Sequence, residues 1–243
     1  MSVAVVIPAY QAGRHIGSVL ERVLAAPLPE LERVIVVDDG SRDDTARVVE
    51  GFSRARSPRC PIELLRRPRN GGYGAAMKDG LARAGETDPD VVACVHADGQ
   101  YSPEVLPALV RSLRARSLDL LQGSRVASGT ALSGGMPLYK YLANAALNVL
   151  ENRTLGLDMT DYHSGYLVYG RRVRQRVPFA RLSDSFDFDL EVIASARARG
   201  LAVAEEPVPT HYGDELSHLR PIPYGARVLR VLWRYRRGDY GPA

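Results

Sequence analysis

The strongest constraint on this chain is an alternation: short runs rich in β-branched residues are separated by stretches of helical period through most of its length. Strands are expected at Val3–Ile7, Val34–Asp38, Ile62–Arg66, Val91–His96, Leu118–Gly123, Tyr166–Tyr169 and Leu201–Val208. Helices are expected at Ile16–Ala25, Asp44–Ser53, Ala75–Ala84, Pro103–Ala115, Leu138–Asn152 and Phe186–Arg199. This order reads as βαβ units around a mostly parallel central sheet flanked by helices, an α/β fold. The chain has 243 residues, of which 45% are hydrophobic and 25% charged, enough for one large domain and too few for two with linkers.

No apolar stretch approaches the roughly 20 residues of a membrane span. Val3–Ile7 has no basic residue before it and ends at Pro8, unlike a secretory signal, so a cytoplasmic protein beginning near Met1 is expected. Cys60 and Cys94 read as belonging to separate strands without metal-like spacing, which argues against a disulfide. The net charge of +4 is uneven: from Leu219 to Ala243 there are six arginines and one aspartate, so the basicity belongs to the tail.

Polar residues gather where the strands end: Pro8-Ala9-Tyr10, Asp38 to Ser41, Asn70 to Gly74, and Ala97 to Gln100. Ligands of open parallel sheets bind outside the carboxyl ends of the strands, so four loops point at one crevice, with a long loop at 126–137 near the same edge. Two adjacent aspartates at a strand end repel each other and gain nothing for the fold; Asp39, acceptor-only when ionised, suits a base or ribose hydroxyl. Ser41 or Asp43 alternatively caps the following helix. Asp98, with a diphosphate, is a hard oxygen environment for Mg²⁺ or Mn²⁺, and alternation along an extended chain puts His96 on its side. Asn70-Gly71-Gly72-Tyr73-Gly74 opens onto a helix and reads either as an anion-receiving set of amides or as a tight helix entry.

In order, Val6-Ile7-Pro8-Ala9-Tyr10, Val37-Asp38-Asp39-Gly40-Ser41, Asn70-Gly71-Gly72-Tyr73-Gly74-Ala75-Ala76, Ala97-Asp98-Gly99-Gln100-Tyr101 and Gly123-Ser124-Arg125 resemble the motifs of family-two inverting glycosyltransferases of the GT-A fold. The nearest resemblance is to the polyprenyl- and dolichyl-phosphate sugar synthases, over about the first 210 residues. It implies a GT-A domain at residues 1–212 with a basic amphipathic extension at 213–243. It also implies a nucleoside diphosphate sugar donor held by Pro8, Ala9, Tyr10, Val37, Asp39, Asn70, Ala97, Gln100 and Arg125, with a divalent metal at Asp98 and His96. Two positions depart from the family pattern. Gln11-Ala12 stands where relatives have Asn-Glu, and His96-Ala97-Asp98 where many have Asp-x-Asp; His favours Mn²⁺ over Mg²⁺.

Asp161 in Asp161-Tyr162-His163-Ser164-Gly165 resembles a family segment near the transferred sugar and is a candidate for sugar contact or general base, or alternatively caps a turn. Glu191, among four acids from Asp184 to Glu191, is by resemblance the one facing the site. A hydroxyl acceptor needs a base, whereas a phosphate acceptor is already an anion and needs none. Where relatives using a lipid phosphate place an arginine and a lysine, this chain has His211 and His218. After Pro223, Arg227, Arg230, Arg234 and Arg237 share one helical face and Tyr224, Val228, Val231, Leu232 and Tyr235 another. That helix either lies on an anionic membrane or packs on its own domain or a second copy as a homodimer.

The activity expected is hexose transfer to a polyprenyl phosphate or a saccharide hydroxyl. A sugar-1-phosphate nucleotidyltransferase is the enzymatic alternative, opposed by Pro8-Ala9-Tyr10 where a basic Gly-rich loop belongs. A non-enzymatic nucleic-acid or membrane-surface module is the other, and the strand-end carboxylates make little sense for nucleic acid.

Overall fold

The computed structural model describes residues 1–55, 60–127, 129, 138–209 and 221–242. Its strands are β1 (Val3–Ala9), β2 (Leu31–Asp38), β3 (Ile62–Arg66), β4 (Val91–Cys94), β5 (Leu120–Ser124), β6 (Leu167–Gly170) and β7 (Val203–Pro207). Its helices are α1 (Ile16–Ala25), α2 (Thr45–Ala55), α3 (Tyr73–Gly85), α4 (Leu106–Ala115), α5 (Leu138–Leu155), α6 (Arg171–Arg176), α7 (Phe188–Ala198) and α8 (Pro221–Arg236). One seven-stranded sheet runs β3-β2-β1-β4-β6-β5-β7, parallel except for β6, which is antiparallel to both neighbours.

Alternation along the strands divides the core between two layers. Ala4, Val6, Ile35, Val37 and Cys94 meet residues of α3, α7 and α8 on one face. Val3, Val5, Ile7, Val34 and Val36 meet α1, α2 and α4 on the other. Gly80 of α3 shows how closely the layers approach, because a Cβ there would stand 2.3 Å from Cγ1 of Val6. Cys60 and Cys94 belong to opposite layers, and neither forms a disulfide.

The α/β order matches the sequence reading, with instructive differences at the edges. β4 stops at Cys94 and the chain turns at Gly99, whose φ is +75°, so residues 96 and 98 lie beyond the ladder and strand alternation does not relate them. The short α6, Arg-Arg-Val-Arg-Gln-Arg, buries only Val173 and therefore carries no apolar stripe to announce it. Most of the loop expected at 126–137 lies outside the described residues, as do the domain boundary at 212/213 and His211 and His218.

Beyond that boundary, α8 turns its apolar stripe inward. Val228, Val231 and Leu232 are buried in the same core as α7, with Tyr224 and Tyr235 packed at its margin. Of the two partners open to that stripe in the sequence, the structure supplies the chain's own domain. The arginine face is divided: Arg234 pairs with Glu191 and Arg227 with Asp187 at 3.2 Å.

Two buried acids of α7 explain how this helix sits. Glu191 accepts from the Ser183 amide, the Arg234 guanidinium and the Tyr240 hydroxyl, which ties α7 to the C-terminal segment. The expectation that Glu191 faces the site is thereby corrected, because residues two apart on a helix do not share a face and it is Asp189 that looks the other way. Asp189 Oδ2 accepts from the Tyr73 hydroxyl at 2.8 Å, and Oδ1 has no partner among the described residues. Burial pushes the Asp189 carboxyl up to about 7, only partly opposed by the tyrosine hydroxyl.

Glu191→Ala should lower unfolding stability by about 2 to 3 kcal/mol, because it strands three donors, Arg234 among them, and urea denaturation measures this. Asp189 works in the opposite sense from a paired carboxylate. Its folded form holds a proton that the unfolded chain has lost, so stability drains away as pH climbs from about 4 through about 7. Asp189→Asn should gain on the parent over that rise, the two urea midpoints converging toward pH of about 4; parallel pH profiles would refute it.

Candidate active site

The crevice forms where β1, β2 and β3 end, and Asp39 organises it. Its Oδ1 accepts from the Gly71 amide at 2.9 Å and Arg67 Nη1 at 2.7 Å, and its Oδ2 accepts from the Gly72 amide at 2.9 Å. The carboxylate thus closes the glycine-rich segment onto β2. The amides of Gly71 and Gly72 are engaged there and that of Ala75 on the Asp184 carbonyl, so the segment is a tight helix entry and not an anion cradle. Its glycines answer to packing: a Cβ at Gly72 or Gly74 would stand 2.4 or 2.3 Å from the carbonyl oxygens of Asp184 and Ser183.

A cleft of about 530 Å³ opens beside this knot, lined by Tyr10, Asp38, Ser41 and Asn70 and by Arg42, Arg66, Arg67 and Arg69. Tyr10 is 42% exposed at the edge of this cleft. The segment after it is fastened from the α2 side, where Ser41, Thr45 and Asp43 accept from the amides of Gln11, Ala12 and Gly13. Not every expected nucleotide contact faces this space. The side chains of Ala9, Val37 and Ala97 are buried in the core, which leaves them only backbone atoms to offer a ligand. The arginines were missed by sequence reasoning, although three of them in the four residues before Asn70 are a legible signal of an anion-facing edge.

Beyond β4, Asp98 Oδ1 accepts from the Gln100 amide at 3.0 Å, an arrangement that fixes the carboxylate at the turn. His96 is tied to the 163–166 loop. Its Nε2 lies 3.1 Å from the Gly165 carbonyl, and since a carbonyl only accepts, that nitrogen carries the proton. The ring stands edge-on to Tyr73 and Tyr101, and burial holds its pKa below the ordinary value despite the pull of Asp98. With Nε2 on the Gly165 carbonyl, Nδ1 is the ring nitrogen without a proton, the form in which a histidine can bind a metal. Gly165 has φ +73°, and a Cβ there would stand 2.5 Å from the imidazole. Among the described residues no three His, Cys, Asp or Glu side chains gather as a metal centre. A single carboxylate does fit a divalent ion that takes its other ligands from phosphate and water.

Arg125 and Asp161 form the second centre. Nε and Nη2 of Arg125 reach the two oxygens of Asp161 at 2.8 and 3.2 Å, a forked pair whose carboxylate is 1% exposed. Burial alone would raise the Asp161 carboxyl, but the Arg125 charge and hydrogen bonds, aided by His163, hold it below the usual carboxylate range. An ionised aspartate bound in this way is a poor proton acceptor, so its expected role as a base gives way to that of an anchor for Arg125.

A buried network extends from this pair. The His163 amide donates to Asp161 and its carbonyl accepts from Arg125. Its imidazole Nδ1 lies 2.9 Å from the Tyr224 hydroxyl of α8, and Nε2 3.4 Å from the fully buried Glu151 of α5. Gln122 donates to the Asp161 carbonyl at 2.7 Å. Glu151 and His163 were not singled out from the sequence, and Tyr224 was read only as part of an apolar face, because the three come from separated segments that only the fold brings together.

Comparison with known proteins gives the family. Residues 4–177 match the model of glycosyl transferase family 2. The low-salt glycan biosynthesis hexosyltransferase Agl6 of Haloferax volcanii is 30% identical over 95% of this chain, which spans 53% of that relative's length. The polyprenol monophosphomannose synthase of Mycolicibacterium smegmatis is 27% identical over 84% of this chain and 75% of its own. Glucosyl-3-phosphoglycerate synthase from Mycobacterium tuberculosis, solved with Mn²⁺, UDP and glucosyl-3-phosphoglycerate, shares the fold at a TM-score of 0.71 and 17% identity, covering all of this chain and 81% of that one. These findings set aside the nucleotidyltransferase and the non-enzymatic module. The chain belongs to glycosyl transferase family 2 and is a glycosyltransferase with the GT-A fold.

Proposed function

We propose that the enzyme transfers a hexose from a nucleoside diphosphate sugar to a polyprenyl phosphate, with inversion at the anomeric carbon. The observation that carries the acceptor assignment is the Arg125–Asp161 pair. The pair fixes the Arg125 cation and holds the Asp161 carboxylate, the expected base, below the usual carboxylate range. A phosphate acceptor, already ionised, suits that arrangement, whereas a saccharide hydroxyl must surrender a proton as it attacks. The similarity to the polyprenol monophosphomannose synthase supports the same choice.

On the donor side, the backbone after β1, the Tyr10 ring and Asn70 would hold the nucleoside, with Asp39 keeping their loops in register. Asp98 and Gln100 would meet the diphosphate, and a divalent ion held by Asp98 would stabilise the charge that grows on it as it departs. The acceptor oxygen forms the new bond to the anomeric carbon as the bond to the diphosphate breaks, and the electron pair leaves with the nucleotide. Arg125, oriented by Asp161, would neutralise the two anions brought together. His211 and His218 are retained as proposed acceptor contacts. No helix among the described residues is long and apolar enough to cross a membrane, so contact with a lipid acceptor would be peripheral, through α8.

With labelled nucleotide sugars and a short-chain polyprenyl phosphate, transfer should appear with Mn²⁺ or Mg²⁺ and vanish with EDTA or in Asp98→Ala. Activity intact under either condition overturns the metal assignment. Asp161→Asn should lower kcat/KM by about a hundredfold, as loss of a preorganised electrostatic contact does, yet keep the acid limb of the parent pH profile. Combining it with Arg125→Ala should cost little more than either change alone. Loss of the acid limb in Asp161→Asn, or transfer only to saccharide hydroxyls, would instead identify a base and a different acceptor.

A further inference from the structure

The apolar surface that distinguishes this chain lies on the outer faces of α5 and α8. Leu142 and Val149 of α5 are 58% and 52% exposed, with Ala145 and Ala146 exposed between them on the same helical face. On α8, which packs against α5, Leu229 and Trp233 are 52% and 56% exposed. These residues are distinct from the inward stripe of α8, whose burial in the core is complete without them. Among the described residues, every charged side chain that the two helices expose is an arginine: Arg153, Arg227, Arg230 and Arg236. Arg237, just past α8, lies over the Trp233 ring at 4.5 Å.

We infer that the joined outer faces of α5 and α8 dock on an anionic lipid bilayer, with Leu142, Val149, Leu229 and Trp233 entering the interface and the arginines meeting lipid phosphates. Charge selects this occupant. A two-fold contact between copies through the same face would bring arginines against arginines, whereas an anionic bilayer supplies the opposite charge over the whole patch. Tryptophan beside arginine is also the composition favoured at a membrane–water boundary.

The inner sides of these two helices give the surface a purpose. Glu151 of α5 and Tyr224 of α8 both hold His163, whose backbone holds Asp161 and Arg125. A bilayer against the outer face is therefore separated from the acceptor side of the crevice by one layer of helices. That purpose rests on the lipid-phosphate reading, but docking itself is measured without any transfer reaction.

Trp233 is the chain's single tryptophan, so its fluorescence reports this face alone. Full-length protein should show a blue-shifted emission and co-sediment with phosphatidylcholine–phosphatidylglycerol vesicles, but not with phosphatidylcholine alone, and binding should weaken as salt is added. Leu142→Glu and Val149→Glu should each reduce partitioning about tenfold or more. Arg230→Gln and Arg236→Gln should each reduce it roughly fivefold. All four should retain the parent's thermal shift with UDP and Mn²⁺. An emission unchanged by vesicles overturns the inference, as does full binding by Val149→Glu. A blue shift that grows with protein concentration in the absence of vesicles, with a doubled mass in sedimentation, would assign the face to a second copy instead. Vesicle binding without transfer to polyprenyl phosphate removes the acceptor reading and leaves docking; transfer without vesicle binding does the reverse.

Discussion

The arrangement of the crevice depends on one buried carboxylate. Asp39 gathers two glycine amides and a guanidinium at the end of β2, and in doing so fixes where α3 begins. The glycines so placed present a surface without side chains, on which the backbone at Ser183 and Asp184 lies in direct contact. That contact sets the entry to α7, and α7 in turn receives α8 through Glu191. A chain of short contacts thus runs from the nucleotide side of the sheet to the C-terminal helix. Each link satisfies groups that would be costly to bury alone.

The two charged centres differ in what their surroundings do to them. Asp161 is ionised because a guanidinium is fitted to it, and the fit removes it from proton transfer. Asp189, on a helix packed at the far side of Tyr73 and Gly165, has a hydroxyl for company and no cation, and so tends toward the neutral form. Two buried aspartates of one fold are sorted by the charge of their nearest partner. The phosphate acceptor proposed above agrees with the first of these environments, since a fixed cation suits an anion better than a neutral hydroxyl.

Much of the fold and the nucleotide edge was legible because it is local. Strand runs, the paired aspartates at the end of β2 and the glycine-rich segment each carry their signal within about ten residues, and each sits where the pattern put it. What was not legible depends on direction or on distance in sequence. Asp189 and Glu191 cannot be told apart by composition, because only the helical phase decides which one turns toward Tyr73. The contact of the His96 ring with Gly165, 69 residues away, lay outside any strand alternation, because β4 ends at Cys94. Likewise the Glu151–His163–Tyr224 contacts join three segments with no pattern in common.

The reversed strand β6 has a consequence for how such an enzyme can change. In a parallel sheet only the segments that follow strands arrive at the carboxyl edge. Because β6 runs backward between β4 and β5, the segment that precedes it, 158–166, arrives there as well. On the assignment proposed above, one substrate would be met by chain leaving the sheet and the other by chain entering it. Acceptor preference could then drift through insertions or substitutions in 158–166 while the turns after β1 and β2 keep their lengths and their hydrogen bonds.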